Sequence, residues 1–180
     1  MMKRVALSLS VLLFVPLCLG GTTGVARAEP AATTGSVERT AGIPPLSVPA
    51  LGLTGASIIP VGINARGQLA VGPSVRGVYI WKDGVRPGQP GSAVIAGHTW
   101  SQGSGVFDKL GTMRVGDRLA VGAATFAVTR VERVRKMSSQ KVRGLFSDRG
   151  PARVVLITCG DRSAATGVYA SRILVHGRKI

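Results

Sequence analysis

From residue 51 onward the chain breaks into short apolar pieces separated by turn residues, and no stretch keeps the helical period for long. The pieces Ala56–Ile59, Gly67–Val71, Val78–Trp81, Ser92–Ala96, Arg118–Val121, Thr125–Val134, Arg153–Thr158 and Arg172–His176 read as strands. Between them, Asn64-Ala65-Arg66-Gly67, Lys82-Asp83-Gly84 and Gly88-Gln89-Pro90-Gly91 carry turn chemistry. Eight short strands without a long helix predict an all-β domain, a closed eight-stranded barrel or a sandwich. One or two short helices are expected. One covers Ser104–Leu110, where Ser104 can cap and Val106, Phe107 and Leu110 share a face; the other is a turn within Ser138–Phe146, inside a long basic loop.

The first 50 residues read differently. Lys3 and Arg4 precede an uncharged, largely apolar run, Val5–Leu19, and Ala26-Arg27-Ala28 then places small residues where a signal peptidase reads them. Residues 1–28 are therefore expected to be a signal peptide cleaved after Ala28 or, alternatively, a retained membrane anchor, since the 22 residues Val5–Ala26 carry no charge. Gly20, Gly21, Thr22 and Thr23 weaken the second half of that span. Residues 29–50, made of Ala, Thr, Gly and Pro with scattered charge, keep neither apolar period and are expected to be a flexible linker to a domain at 51–180.

Composition narrows this picture in two ways. A hydrophobic fraction of 45% in 180 residues fits one globular domain with short accessories, and 25 glycines with 10 prolines favour strands and turns over long helices. Aromatics are few, so Val, Leu, Ile and Ala must fill the core. The charge is one-sided: without Lys3, Arg4 and Arg27 the rest of the chain keeps 20 bases against 8 acids, a net +12. Eight of those bases fall between Arg130 and Arg153, against Glu132 and Asp148 alone. Such a patch can face nucleic acid, a polyanionic envelope surface, anionic lipid or only solvent. No interleaved aromatics and no nucleic-acid motif accompany it, so nucleic acid is not expected as a partner.

Export gives the cysteines their meaning. Cys18 lies in the apolar leader and sets no lipoprotein signal, because Leu17 precedes it, so Cys159 is the one cysteine an exported domain keeps. An odd cysteine outside the cell is a bridge to another chain, a free thiol, or a small buried hydrophobe. As a nucleophile it needs a neighbouring base to form the thiolate and to protonate the leaving group. Two histidines are available. His98 follows the apolar strand SAVIAG at its rim, whereas His176 shares a strand face with Arg172 and Leu174 and reads as structural. Acyl transfer also needs donors for the oxyanion, and Arg172 is a candidate among the many arginines.

The segment "VIAGHTW…GVFDKL…MRVGD", the strand "VLITCG" and the terminal "TGVYASRILVHG" resemble the sortases, cysteine transpeptidases of the Gram-positive cell surface. The order His, Cys, Arg, the 61-residue interval from His98 to Cys159 and the arginine 13 residues after the cysteine fit the same family. The resemblance spans Leu51–Ile180 and is nearest to the actinobacterial class F group, with class E as neighbour. It implies that Cys159 attacks the threonine carbonyl of an LPxTG-like sorting signal and forms a thioester. His98 would act as general acid and then base, and Arg172 would hold substrate carbonyls and the oxyanion. Thr158 would position substrate or the cysteine backbone. The family's T-L-x-T-C signature begins with Val155 here, a residue alternation places on the face of Ile157 and Cys159 and so toward the substrate. The basic loop 135–152 would flank the groove. The acceptor would be an amine of a cell-wall precursor or a pilin, at the outer face of the plasma membrane, and no metal or other cofactor is called for.

Rival readings meet specific obstacles. An L,D-transpeptidase also places His before Cys but carries glycine before the thiol, where Thr158 stands. Papain-like and NlpC-type peptidases place the cysteine first. A disulfide oxidoreductase wants C-x-x-C. A non-catalytic basic domain that binds the envelope is the alternative from another class, set against the intact His98, Cys159 and Arg172.

Overall fold

The computed structural model describes residues 42–180, so the apolar leader lies outside the described residues. Within them nine strands follow one another: β1 (Leu46–Val48), β2 (Leu53–Ala56), β3 (Ile58–Val61), β4 (Val78–Trp81), β5 (Ser92–Gly97), β6 (Arg118–Val121), β7 (Ala124–Val134), β8 (Arg153–Arg162) and β9 (Tyr169–Lys179). They form one sheet in the order β2-β1-β6-β7-β9-β8-β5-β4-β3. The edge strands β2 and β3 are separated in the chain by Ser57 alone. Since consecutive Cα atoms lie about 3.8 Å apart, the sheet must curl until its edges nearly meet. The result is a nearly closed all-β barrel. Pairing is antiparallel except for β3–β4 and β5–β8.

Alternation divides the strands between two cores. Leu46, Val48, Ile95, Phe107, Leu119, Phe126, Val154, Leu156 and Val175 fill the barrel. The residues between them on β5, β8 and β9, namely Val94, Val155 and Leu174, face outward and form a smaller buried cluster with Leu145. Leu145 belongs to the one α-helix among the described residues, α1 (Ser139–Leu145), whose first turn is capped by Ser138 Oγ accepting from Lys141 N at 3.1 Å.

Four expectations are corrected. The fold has nine strands rather than eight, because β1 and β2 are three and four residues long and lie among Pro45, Pro49 and Gly55, which masks them. β1 falls within the 29–50 stretch read as linker, yet Leu46 and Val48 are fully buried. Gly67–Val71 is no strand: it keeps only the bridge Ile63–Leu69, beside a turn in which Asn64 Oδ1 accepts from Arg66 N and Gln68 N and Gly67 has φ of 70°. Finally, Ser104–Leu110 forms successive turns ending in a single 3-10 turn at Leu110–Thr112. The cap there is Asp108 rather than Ser104: its carboxylate accepts from Trp100 N at 2.7 Å and Gly105 N at 2.8 Å. Phe107 and Leu110 are buried as their spacing predicts.

A polar clamp ties α1 to the barrel. Glu132 of β7 accepts from Lys141 Nζ and from His176 Nε2, both at 2.8 Å. Burial raises the Glu132 carboxyl, but the hydrogen bonds from Lys141 and His176 and the charges of Arg130 and Lys141 outweigh it and hold the group below its usual range. Burial likewise pushes the His176 imidazole below its ordinary value, against the pull of Glu132. Both groups therefore bind protons less readily folded than unfolded, and the stability they contribute is complete above their unfolded values and falls with pH. Urea midpoints are expected to decline as pH drops below about 6.5, and further through the ordinary Glu range near 4.3. His176→Gln is expected to flatten the first part of that decline; an unchanged profile would exclude the clamp as its source.

Candidate active site

The parallel pairing of β5 with β8 decides the geometry of the barrel rim. Partners run from Ser92 and Arg153 to Ala96 and Ile157, so both strands end on the same side. Two residues further along each chain bring His98 level with Cys159. Across β8, Arg172 of β9 is the direct Cα partner of Cys159. Alternation turns all three outward, in line with Val94 and Ala96 on β5, Val155 and Ile157 on β8, and Leu174 on β9. Positions far apart in sequence thus form a row across three neighbouring elements.

Cys159 is half-buried and its thiol is free. Arg172 is exposed, donates to the Ser171 carbonyl at 2.9 Å, and pairs with no carboxylate among the described residues, so its remaining donors are open to the groove. His98 is half-buried, with the ring of Tyr79 edge-on at 6.1 Å. Its Nε2 lies 2.7 Å from the Gly72 carbonyl. A carbonyl only accepts, so Nε2 carries the proton and Nδ1 is left for proton exchange.

The backbone around His98 is fixed residue by residue. The His98 carbonyl accepts from Phe107 N at 3.0 Å, the Thr99 carbonyl from Tyr169 Oη at 3.2 Å, and Trp100 N donates to Asp108. Gly97 is required because a Cβ there would lie 2.5 Å from the Phe107 ring; close approach rather than flexibility explains it. Thr158, 3% exposed, points to the other side of β8 from the thiol and donates to the Gly97 carbonyl at 2.8 Å. Thr99 Oγ1 sits 2.8 Å from Thr158 Oγ1 and 3.0 Å from the Cys159 carbonyl. Thr158 and Thr99 therefore pin the end of the histidine strand to the end of the cysteine strand.

Beside the row runs a groove of about 520 Å³. Leu69, Val71, Met137, Val142, Phe146 and Ile157 give it apolar walls, and Gln68, His98, Thr158, Cys159 and Arg172 are the polar residues along it. The basic loop between β7 and β8 supplies one wall, and the 62–77 excursion between β3 and β4 the other. Val155 faces outward as alternation requires, but the structure does not bring it to the thiol. It is 2% exposed under α1 and lines a neighbouring cavity. His176 lies in that second cavity too. Sequence reasoning missed Gly72, Thr99, Asp108 and Tyr169; only the placement of Thr99 next to His98 and of an acid in "GVFDKL" gave a signal for two of them.

A search of curated protein sequences returned no match. Solved structures do match. Sortase C-1 from Actinomyces oris is 24% identical, with a TM-score of 0.56 over 75% of this chain and 70% of that one. Listeria monocytogenes sortase A is 19% identical, with a TM-score of 0.57 over 78% and 88%. Sortase C1 from Streptococcus agalactiae is 18% identical, with a TM-score of 0.58 over 81% and 70%. At these identities the likeness establishes a shared fold. The family model for the sortase domain matches residues 46–180, from the first strand of the barrel to the last residue, and the chain belongs to the sortase family.

Proposed function

We propose that the chain is a cell-envelope transpeptidase that cleaves an LPxTG-like sorting signal and transfers the acyl group to an amine of a wall precursor or pilin. The observation that carries this reading is the row His98–Cys159–Arg172 at the head of an apolar groove. The Cys159 thiolate attacks the threonine carbonyl, and the oxyanion is stabilised by Arg172. The C–N bond then breaks as His98 protonates the departing amine, which leaves a thioester on Cys159. An incoming amine attacks that thioester, gives its proton to His98 and releases the thiolate. The apolar walls suit the Leu and Pro of such a signal, and Thr158 holds the two catalytic strand ends in register. The sequence motifs favour the class F or class E branch. Residues 1–28 would deliver the domain to the outer face of the membrane, as an anchor or a cleaved signal, with the residues from 29 up to β1 as tether.

The test uses the full-length chain and a panel of sorting-signal peptides. Intact-protein mass spectrometry is expected to show an acyl adduct, peptide mapping to place it on Cys159, and a glycine oligomer to resolve it. If no peptide forms an adduct and a thiol reagent leaves Cys159 unmodified in the folded protein, the enzymatic reading fails.

A further inference from the structure

The second cavity, of about 630 Å³, lies on the other side of α1 from the groove. Its charged lining is lopsided: Arg130, Lys141, Arg153 and Arg178 face one acid, Glu132. That carboxylate is already engaged by Lys141 and His176, each at 2.8 Å. Arg153 and Arg178 have no carboxylate partner among the described residues. They are also direct Cα partners across β8 and β9, on the same face. Paired positions hold their Cβ atoms about 4.5–5.5 Å apart, and like charges placed so are destabilising. One Arg153 donor, Nη2, reaches the Arg149 carbonyl at 3.0 Å, but its Nε is buried with no hydrogen-bond partner. A buried guanidinium N–H without an acceptor is costly, and an anion between the two arginines would remove both penalties.

We infer that this cavity is a binding site for a phosphate group, held between Arg153 and Arg178 with Lys141 and Arg130 at its margin. A phosphate offers enough oxygens to serve two guanidinium forks at once, whereas a carboxylate is filled by one. The volume leaves room for a glycerol or sugar attached to the phosphate. The site is separate from the thiol, and its occupancy does not depend on the transfer reaction.

Isothermal titration calorimetry of the full-length chain with inorganic phosphate, at fixed ionic strength, is expected to show one saturable site. Arg178→Gln should weaken it at least about tenfold, the loss of one charge-assisted pair. Arg153→Gln should do the same and carries the test should the first variant not fold. Arg143→Gln, exposed on α1 and outside the cavity, should bind as the parent does. Two further arms separate the sources of phosphate. Competition by sn-glycerol 3-phosphate marks a soluble or polymer-borne group, and cosedimentation with phosphatidylglycerol vesicles that Arg178→Gln abolishes marks a lipid headgroup. Heat that never saturates, or equal affinity in the parent and in both cavity variants, overturns the site.

Discussion

His98→Ala is expected to lower kcat/KM for sorting-signal cleavage by about 10²–10⁴-fold, the usual contribution of a positioned acid-base group. The geometry allows a sharper version of the experiment. Nε2 donates to the Gly72 carbonyl, so the ring's proton-exchanging atom is Nδ1. His98→Gln keeps a donor able to reach Gly72 but has no group that takes up and returns a proton. Both variants should therefore lose turnover alike, while only the alanine variant should loosen the 62–77 excursion, read as faster amide exchange around Gly72. The carbonyl of residue 98 still accepts from Phe107 N in either variant, so the thermal midpoint should move little. Cleavage within threefold of the parent in both variants would remove His98 from the reaction.

Phe107→Ala is expected to cost about 3–5 kcal/mol of stability, as large-to-small changes in packed cores do. The ring is fully buried within the barrel's apolar cluster. It also fills the space that Gly97 leaves open, at a point where a Cβ on that glycine would come within 2.5 Å of it. The loss is a large fraction of the roughly 5–15 kcal/mol that holds an ordinary domain together. Urea unfolding should show a lower midpoint with an unchanged slope. Phe146→Ala serves as the contrast, because that half-buried ring lines the groove and should cost clearly less. A loss below about 1 kcal/mol for Phe107→Ala would mean that the barrel repacks around the gap, and that the histidine segment is not held by this ring.

Much of the barrel was legible wherever a strand is long enough to show its own pattern. β4 and β6 lie where the apolar runs predict, and β8 and β9 extend beyond the predicted pieces at their ends. The all-β class and the helical turn after Ser138 were readable for the same reason. β1 and β2 were not, because three or four residues between prolines carry no period, and what buries Leu46 and Val48 is a partner strand more than 70 residues away. Gly67–Val71 has a strand's apolar content without a strand's partner, and the chain uses it as a wall of the groove. His98 and Cys159 could be singled out from sequence because two histidines and two cysteines leave few combinations, whereas Arg172 stood out among the many arginines only through the family resemblance. The fate of Val155 could not, since alternation tells which face a side chain takes but not that α1 ends the groove before reaching it.

The parallel union of β5 and β8 also has a kinetic meaning. Ala96 and Ile157 are 61 positions apart, and β6, β7 and α1 all lie in the chain between them. Loop-closure entropy and the slow formation of non-local pairings both delay such a contact. No hairpin of the barrel contains the thiol and its imidazole side by side, because the strands that carry them are joined by a long crossover. An unfolded chain therefore carries cysteine and histidine apart, and they come together only when β5 and β8 pair.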